Sequence, residues 1–145
     1  MTRKLVFEAH DVEGFSPAGA EDTFLSRLLI DKEGVGAGSF VINHFTLKPG
    51  KATELGSHPV PYEEAYYVLR GTGRVQLGEP PEEYAVGPNS VVFIPGGTQH
   101  SVENLGTDDM EILTVMTAPL KEGSNSVYDA RLKEWGTTFK FKPTA

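Results

Sequence analysis

The chain has 145 residues, a formal net charge of −7 and no cysteine. That length suits one domain with a self-sufficient core, and the lack of cysteine excludes disulfides, thiolate nucleophiles, iron–sulfur clusters and cysteine-ligated zinc. The 13 basic residues are scattered rather than gathered on one face, so nucleic acid is not an expected partner.

The opening Met1-Thr2-Arg3-Lys4-Leu5-Val6-Phe7 carries no long apolar stretch, and no later run is long enough to span a bilayer. A soluble, cytoplasmic protein without a membrane partner is therefore expected. Glycine and proline punctuate short β-branched and aromatic runs throughout, which predicts an all-β fold. In chain order the expected strands cover residues 5–8, 24–31, 40–47, 64–70, 73–77, 84–86, 90–94, 100–104 and 110–116. Two turns, Arg70-Gly71-Thr72-Gly73 and Pro95-Gly96-Gly97-Thr98, read as hairpin-like. Regular strands joined by short turns favour a sandwich or barrel over βαβ units. Towards the end, Ser126 is a candidate N-cap for a short helix within 124–135, stopped by Gly136. Val127, Leu132 and Trp135 would form its packing face.

The chain has four histidines: His10, His44, His58 and His100. His100 opens an expected strand directly after a Pro/Gly turn, a well-placed position for a metal ligand. The surrounding P-G-G-T-Q-H-S-V-E-N fits the spacing P-x-G-x-x-H-x-x-x-N from Pro95 to Asn104 at every fixed position. Upstream, Pro49-Gly50 is followed by His58, Glu64 and Gly71, which resembles G-x5-H-x-H-x3/4-E-x6-G. These are the two motifs of the cupin superfamily. The chain thus resembles a small, single-domain cupin over residues 1–145, with motif 1 at about 50–71 and motif 2 at about 87–104. The resemblance implies a double-stranded β-helix (jelly-roll barrel), here with the short C-terminal helix.

The first motif is altered. Counting forward from Gly50 puts its two histidines at Gly56 and His58, whereas counting back from Glu64 puts them at His58 and Val60. Under either alignment one histidine is absent. The resemblance implies that His58, Glu64 and His100 converge inside the barrel as two imidazoles and one carboxylate. Such a set suits one divalent transition metal (iron, manganese, nickel, copper or zinc) with open positions for water or substrate. Glu63, Gln99 and Glu54 are weaker candidates for the place of the missing histidine.

The resemblance also turns Asn43, Phe45 and Leu47 inward, and with them Tyr62, Tyr66 and Phe93 are expected to line a substrate pocket. Asn43 is positioned to hydrogen-bond a polar substrate atom or a metal-bound oxygen. Tyr62 and Tyr66 are candidate donors to an enolate-like oxygen, and Glu64 a candidate base. His44 is expected to point to the opposite face, and His10 has no companion ligands. The function implied is a metal-dependent enzyme of dioxygenase, cyclase, isomerase or lyase type acting on a small oxygen-rich or aromatic molecule. The alternative is a non-catalytic cupin that binds a small ligand over a degenerate or empty metal site. A homodimer is the expected assembly, with the apolar run Phe24, Leu25, Leu28, Leu29 and Ile30 contributing.

Overall fold

The computed structural model describes residues 5–16, 22–118 and 140–142. The strands among these residues are β1 (Gly14–Ser16), β2 (Phe24–Ile30), β3 (Phe40–Leu47), β4 (Glu64–Arg70), β5 (Gly73–Leu77), β6 (Glu82–Val86), β7 (Val91–Ile94), β8 (His100–Asn104), β9 (Met110–Thr117) and β10 (Lys140–Lys142). They form a larger sheet in the order β10-β1-β2-β3-β9-β4-β7 and a smaller one in the order β6-β5-β8, with every pairing antiparallel. The expected C-terminal helix, with Val127, Leu132 and Trp135, lies outside the described residues. None of the described helices is long and apolar enough to cross a membrane.

Strand alternation decides what enters the core. On the larger sheet Phe45, Leu47, Val68, Ile94, Met110 and Ile112 point inward; on the smaller, Val75, Val86 and Val102 meet them. Each fully buried aliphatic or aromatic side chain contributes about 1.5–3 kcal/mol, so this shared cluster holds the two sheets face to face. A second cluster of Phe15, Leu28, Val41 and Ala118 closes the β1–β3 end, with Met116 packed against it.

Both turns read as hairpin-like prove to be corners between sheets. The first joins β4, in the larger sheet, to β5, in the smaller; the second joins β7 to β8 in the same sense. The β-hairpin of the smaller sheet is β5–β6, closed by Gly78-Glu79-Pro80-Pro81. Turn chemistry is the same for a hairpin and a corner, because both need residues that reverse the chain without strain. At the second corner Gly97 has φ +80, a left-handed conformation that favours glycine. A Cβ on Gly96 would lie 2.7 Å from the Tyr62 carbonyl oxygen, so only glycine admits that close approach.

The strand expected over residues 5–8 does not form; Leu5 and Val6 are almost fully exposed there. The segment is apolar enough for a strand, but β-propensity is realised only through packing against a paired strand, so an apolar run does not by itself make one. A short 3-10 turn (Ala9–Asp11) follows, and pairing begins at β1.

The chain between β3 and β4 bears on the site. Its first half runs along the outer edge of β8. The Gly50 amide donates to the Asn104 carbonyl and Asn104 returns a bond to Lys51; further along, Thr53 donates to Val102, and Gly56 and His100 exchange both bonds. The Thr53 hydroxyl also accepts from the Val102 amide. The edge of the smaller sheet is thereby covered, and the register of the loop before His58 is fixed.

Candidate metal centre and pocket

Three elements deliver the candidate ligands. Glu64 opens β4, where it is held between Ile94 of β7 and Met116 of β9. His100 opens β8, directly after the second corner. His58 follows the laced loop, and its carbonyl accepts a 2.6 Å bond from the Gly97 amide of that corner. One ligand atom from each of His58, Glu64 and His100 lies within 4.8 Å of the others. The two imidazole Nε2 atoms approach the same Glu64 oxygen, at 3.4 Å for His58 and 3.2 Å for His100. His100 and Glu64 are nearly enclosed, with side chains 9% and 10% exposed, while His58 stands at the mouth with 38%.

The donor chemistry fits a divalent transition metal. The Nδ1 of His100 lies 2.9 Å from the Thr98 carbonyl oxygen. A carbonyl can only accept, so Nδ1 carries a proton, and Nε2, which faces Glu64, is the nitrogen that can ligate once it is deprotonated. Orientation of a ligating histidine by an outer carbonyl in this way is a common feature of metal sites. With two nitrogens and one carboxylate, the set leaves coordination positions for water or substrate oxygen.

The local electrostatics favour a charged carboxylate. Burial alone would raise the Glu64 pKa, but the hydrogen bonds from His100 and His58, with their charges, outweigh it and hold the group at about 2. For His100, burial lowers the pKa, but the bond to Glu64, the Thr98 carbonyl and the Glu64 charge together raise it. A site that attracts a proton onto His100 attracts a metal cation for the same electrostatic reason.

These residues form part of the wall of a cavity of about 480 Å³. Asn43, Phe45, Tyr62 and Tyr66 line it, as do Ile112, Thr114 and Met116 of β9. The Tyr66 ring stands edge-on to His100, with centroids 6.2 Å apart. Glu54 lines the cavity but does not belong to the ligand group, and neither does Glu63; Gln99 is not among the lining residues.

Two expected pocket residues are placed elsewhere. Phe93 is 56% exposed and pairs with Ala65 on the outer face of the larger sheet, because Val92 and Ile94 take the inward positions of β7. Leu47 does point inward but is completely buried in the core beside Met110, at the end of β3 away from the ligands. His44 lies on the face opposite Asn43, as expected, with its Nε2 3.4 Å from Glu111. His10 is exposed beside Asp11.

The contribution of β9 was not anticipated, although a signal for it exists. Met110, Ile112, Thr114 and Met116 alternate along β9, and Thr114 is the one polar side chain in that inward series. Facing it across the sheet is Asn43. Asn43 is only 3% exposed, and its Oδ1 has no hydrogen-bond partner. An unsatisfied buried polar atom costs about 1–3 kcal/mol. Asn43 is also one of the residues that line the cavity.

Comparison with known proteins agrees with this geometry. Auxin-binding protein 1 of Arabidopsis thaliana is 32% identical over 81 residues, a match covering 51% of this chain and 40% of that protein. This chain therefore spans less than half the length of that relative. The oxalate-binding protein of Thermotoga maritima is 30% identical over 88 residues, covering 61% of this chain and 70% of that protein. Among solved structures, the polyketide cyclase RemF of Streptomyces resistomycificus superposes with a TM-score of 0.67 at 28% identity, covering 79% of each chain. The family model described as "Cupin domain" matches residues 43–116, from the orphaned asparagine of β3 to the methionine of β9 that flanks Glu64. With that match over half of its length and the jelly-roll sheets around a His/Glu/His group, the chain belongs to the cupin family.

Proposed function

We propose that this cupin is a metal-dependent enzyme acting on a small, oxygen-rich or aromatic organic molecule. One observation carries the reading: three donors of metal-binding type converge within 4.8 Å in the wall of a largely apolar cavity. A bound divalent metal would act there as a Lewis acid, favouring negative charge on a substrate oxygen. His58, Glu64 and His100 would hold it. Phe45, Tyr62, Ile112 and Met116 would exclude water and admit a flat or apolar body. Tyr66 and Asn43 are the polar groups we assign to the substrate itself, and Glu64 is the carboxylate available to accept a proton.

Within the candidate reaction classes, redox-neutral cyclisation or lyase chemistry is favoured by the similarity to a polyketide cyclase. Oxygen uptake on turnover would reassign the protein to the dioxygenase type. The second reading, ligand binding without turnover, is favoured by the missing histidine of the first motif and by relatives described as binding proteins. We further propose a cytoplasmic homodimer, which light scattering in solution would test.

Elemental analysis of protein purified without an affinity tag or chelator, beside His100→Ala, tests the central reading. Near-stoichiometric metal, lost in the variant, is expected. No bound metal, and no thermal stabilisation by added iron, manganese, nickel, copper or zinc, would replace the enzyme reading with the metal-free binding one.

A further inference from the structure

Two alignments of the altered first motif put its missing histidine at Gly56 or at Val60, and the fold distinguishes them. Gly56 and His100 form an antiparallel bridge in which each amide donates to the other's carbonyl, at 3.1 and 2.8 Å. Residues directly opposite in such a pair carry their Cβ positions on the same face, about 4.5–5.5 Å apart. A side chain at position 56 would therefore leave the backbone towards the side that His100 takes, and Gly56 is one of the residues that line the cavity. Val60 is 75% exposed and does not line it. Its Cα lies instead against the second corner, where a Cβ on Gly96 would come within 3.0 Å of it.

Neither crowding nor backbone conformation calls for glycine at position 56. A Cβ there would meet nothing within 4 Å, and the residue is not among the glycines of positive φ. Gly96 and Gly97 differ from it on both counts taken together, one by close approach and the other by conformation. His100 is thus flanked unequally across the smaller sheet: Leu77 of β5 stands on one side, and open space accessible from the cavity on the other. The ring of His58, two residues further on, lies 5.3 Å from that of His100. No further histidine or carboxylate joins the group among the described residues.

We propose that Gly56 is the specificity-determining position of this centre: by carrying no side chain beside His100, it keeps one coordination position for a donor atom that the bound molecule supplies. The inference rests on the metal reading of His58, Glu64 and His100 and adds to it the side from which a ligand is admitted. Three protein donors with one open place are the pattern of catalytic zinc sites, and a fourth protein donor closes such a site. The molecules selected are those with a compact nitrogen or oxygen donor group, no larger than an imidazole ring, that enters along Gly56. A histidine side chain at this position would take the same place and refuse them.

The test uses the untagged full chain, cobalt(II) as the metal and imidazole as the probe, at pH ~8, where histidine is neutral. Visible absorption reports the coordination of cobalt, so no turnover is needed. The wild type is expected to bind one cobalt and then one imidazole, each with its own spectral change. Gly56→His should bind cobalt at least about tenfold more tightly and imidazole at least about tenfold more weakly. The spectrum of the cobalt-loaded variant should resemble that of the wild type with imidazole added. Gly56→Ala, too short to ligate, and Val60→His, on the other alignment, should both behave as the wild type, and thermal melts check that each variant folds. Unchanged cobalt affinity or undiminished imidazole binding in Gly56→His would overturn the proposal. So would tightening by Val60→His instead, or no binding of imidazole to the cobalt-loaded wild type at millimolar concentration. The two readings fail differently: a wild type that takes up no cobalt sinks the metal reading and the proposal with it, whereas a cobalt-binding wild type matched by Gly56→His sinks the proposal alone.

Discussion

Two buried asparagines, one in each sheet, are used differently by this fold. Asn104, at the end of β8, is fully buried and completely used. Its Nδ2 donates to the carbonyls of Leu47 and Asp108, each at 2.9 Å, and its Oδ1 accepts from the Gly106 amide. Asn43, on β3, is buried almost as deeply, yet its Oδ1 has no partner. The same side chain thus serves once to join β3, β8 and the turn before β9, and once stands in the cavity wall with its Oδ1 unsatisfied. What separates the roles is neither residue type nor burial. It is whether the fold itself satisfies the group.

The comparison can be broken first at the chemical end. His100→Ala should reduce metal affinity at least about 100-fold, more than loss of an outer-sphere partner does, while the melting transition of the metal-free protein stays cooperative. Calorimetric titration checks the first part and a thermal melt the second. Undiminished metal binding would mean that His58, Glu64 and His100 are not the site.

At the structural end, Asn104→Ala should cost about 2–3 kcal/mol by leaving two carbonyls and an amide without their partner. Denaturant unfolding measures this. Metal stoichiometry of the fraction that folds should equal that of the wild type. A loss of metal without a loss of stability would reverse the roles given to the two ends.

Acidity sharpens the contrast. In the metal-free protein Glu64 is held near 2, below its ordinary 4.5, so its contribution to stability is present above 4.5 and lost as pH falls through about 2. His100 is raised above 6.5, so its contribution is complete below 6.5 and lost as pH rises through the folded value. The pair therefore supports the metal-free fold most fully between these limits. Metal binding has the opposite dependence, because His100 must be neutral to ligate. Apparent affinity should fall by up to about tenfold per pH unit below the raised His100 value, for each proton displaced. The gap in Tm between metal-loaded and metal-free protein should accordingly widen from pH ~5 to pH ~8. A gap independent of pH would exclude histidine ligation.

The smallest effect is expected at His44→Ala. This side chain faces Glu111 on the outer side of β3, where burial lowers its pKa. Removing it should change stability by about 1 kcal/mol or less and leave metal occupancy untouched. Elemental analysis showing lost metal would overturn the assignment of strand faces.

Much of the centre was legible in the sequence because its residues stand at fixed spacing beside turn signals. His100 follows Pro95-Gly96-Gly97, and Glu64 opens the run that ends at Gly71; the structure brings both together with His58. Asn43 and Phe45 followed from the resemblance, which turns alternate residues before Pro49 inward. Phe93 did not, since Val91-Val92-Phe93-Ile94 is apolar on both faces and hides which side turns inward. The corner turns were misread because sheet membership depends on partners distant in sequence. Thr114 was available as a lone polar residue in an apolar alternation, but only the register opposite Asn43 gives that position meaning.

The lacing between the altered loop and β8 has a consequence for how the centre would fill. Gly56 and His100 exchange backbone bonds, and the His58 carbonyl is tied to Gly97. The two imidazole-bearing segments are therefore already joined as the arms of a chelate, and the entropy of bringing them together is lost on folding rather than on capture of an ion. Uptake should then proceed as a simple second-order association with no slow ordering phase. Amide exchange at Gly56 and Gly97 should be nearly the same with the centre loaded or empty.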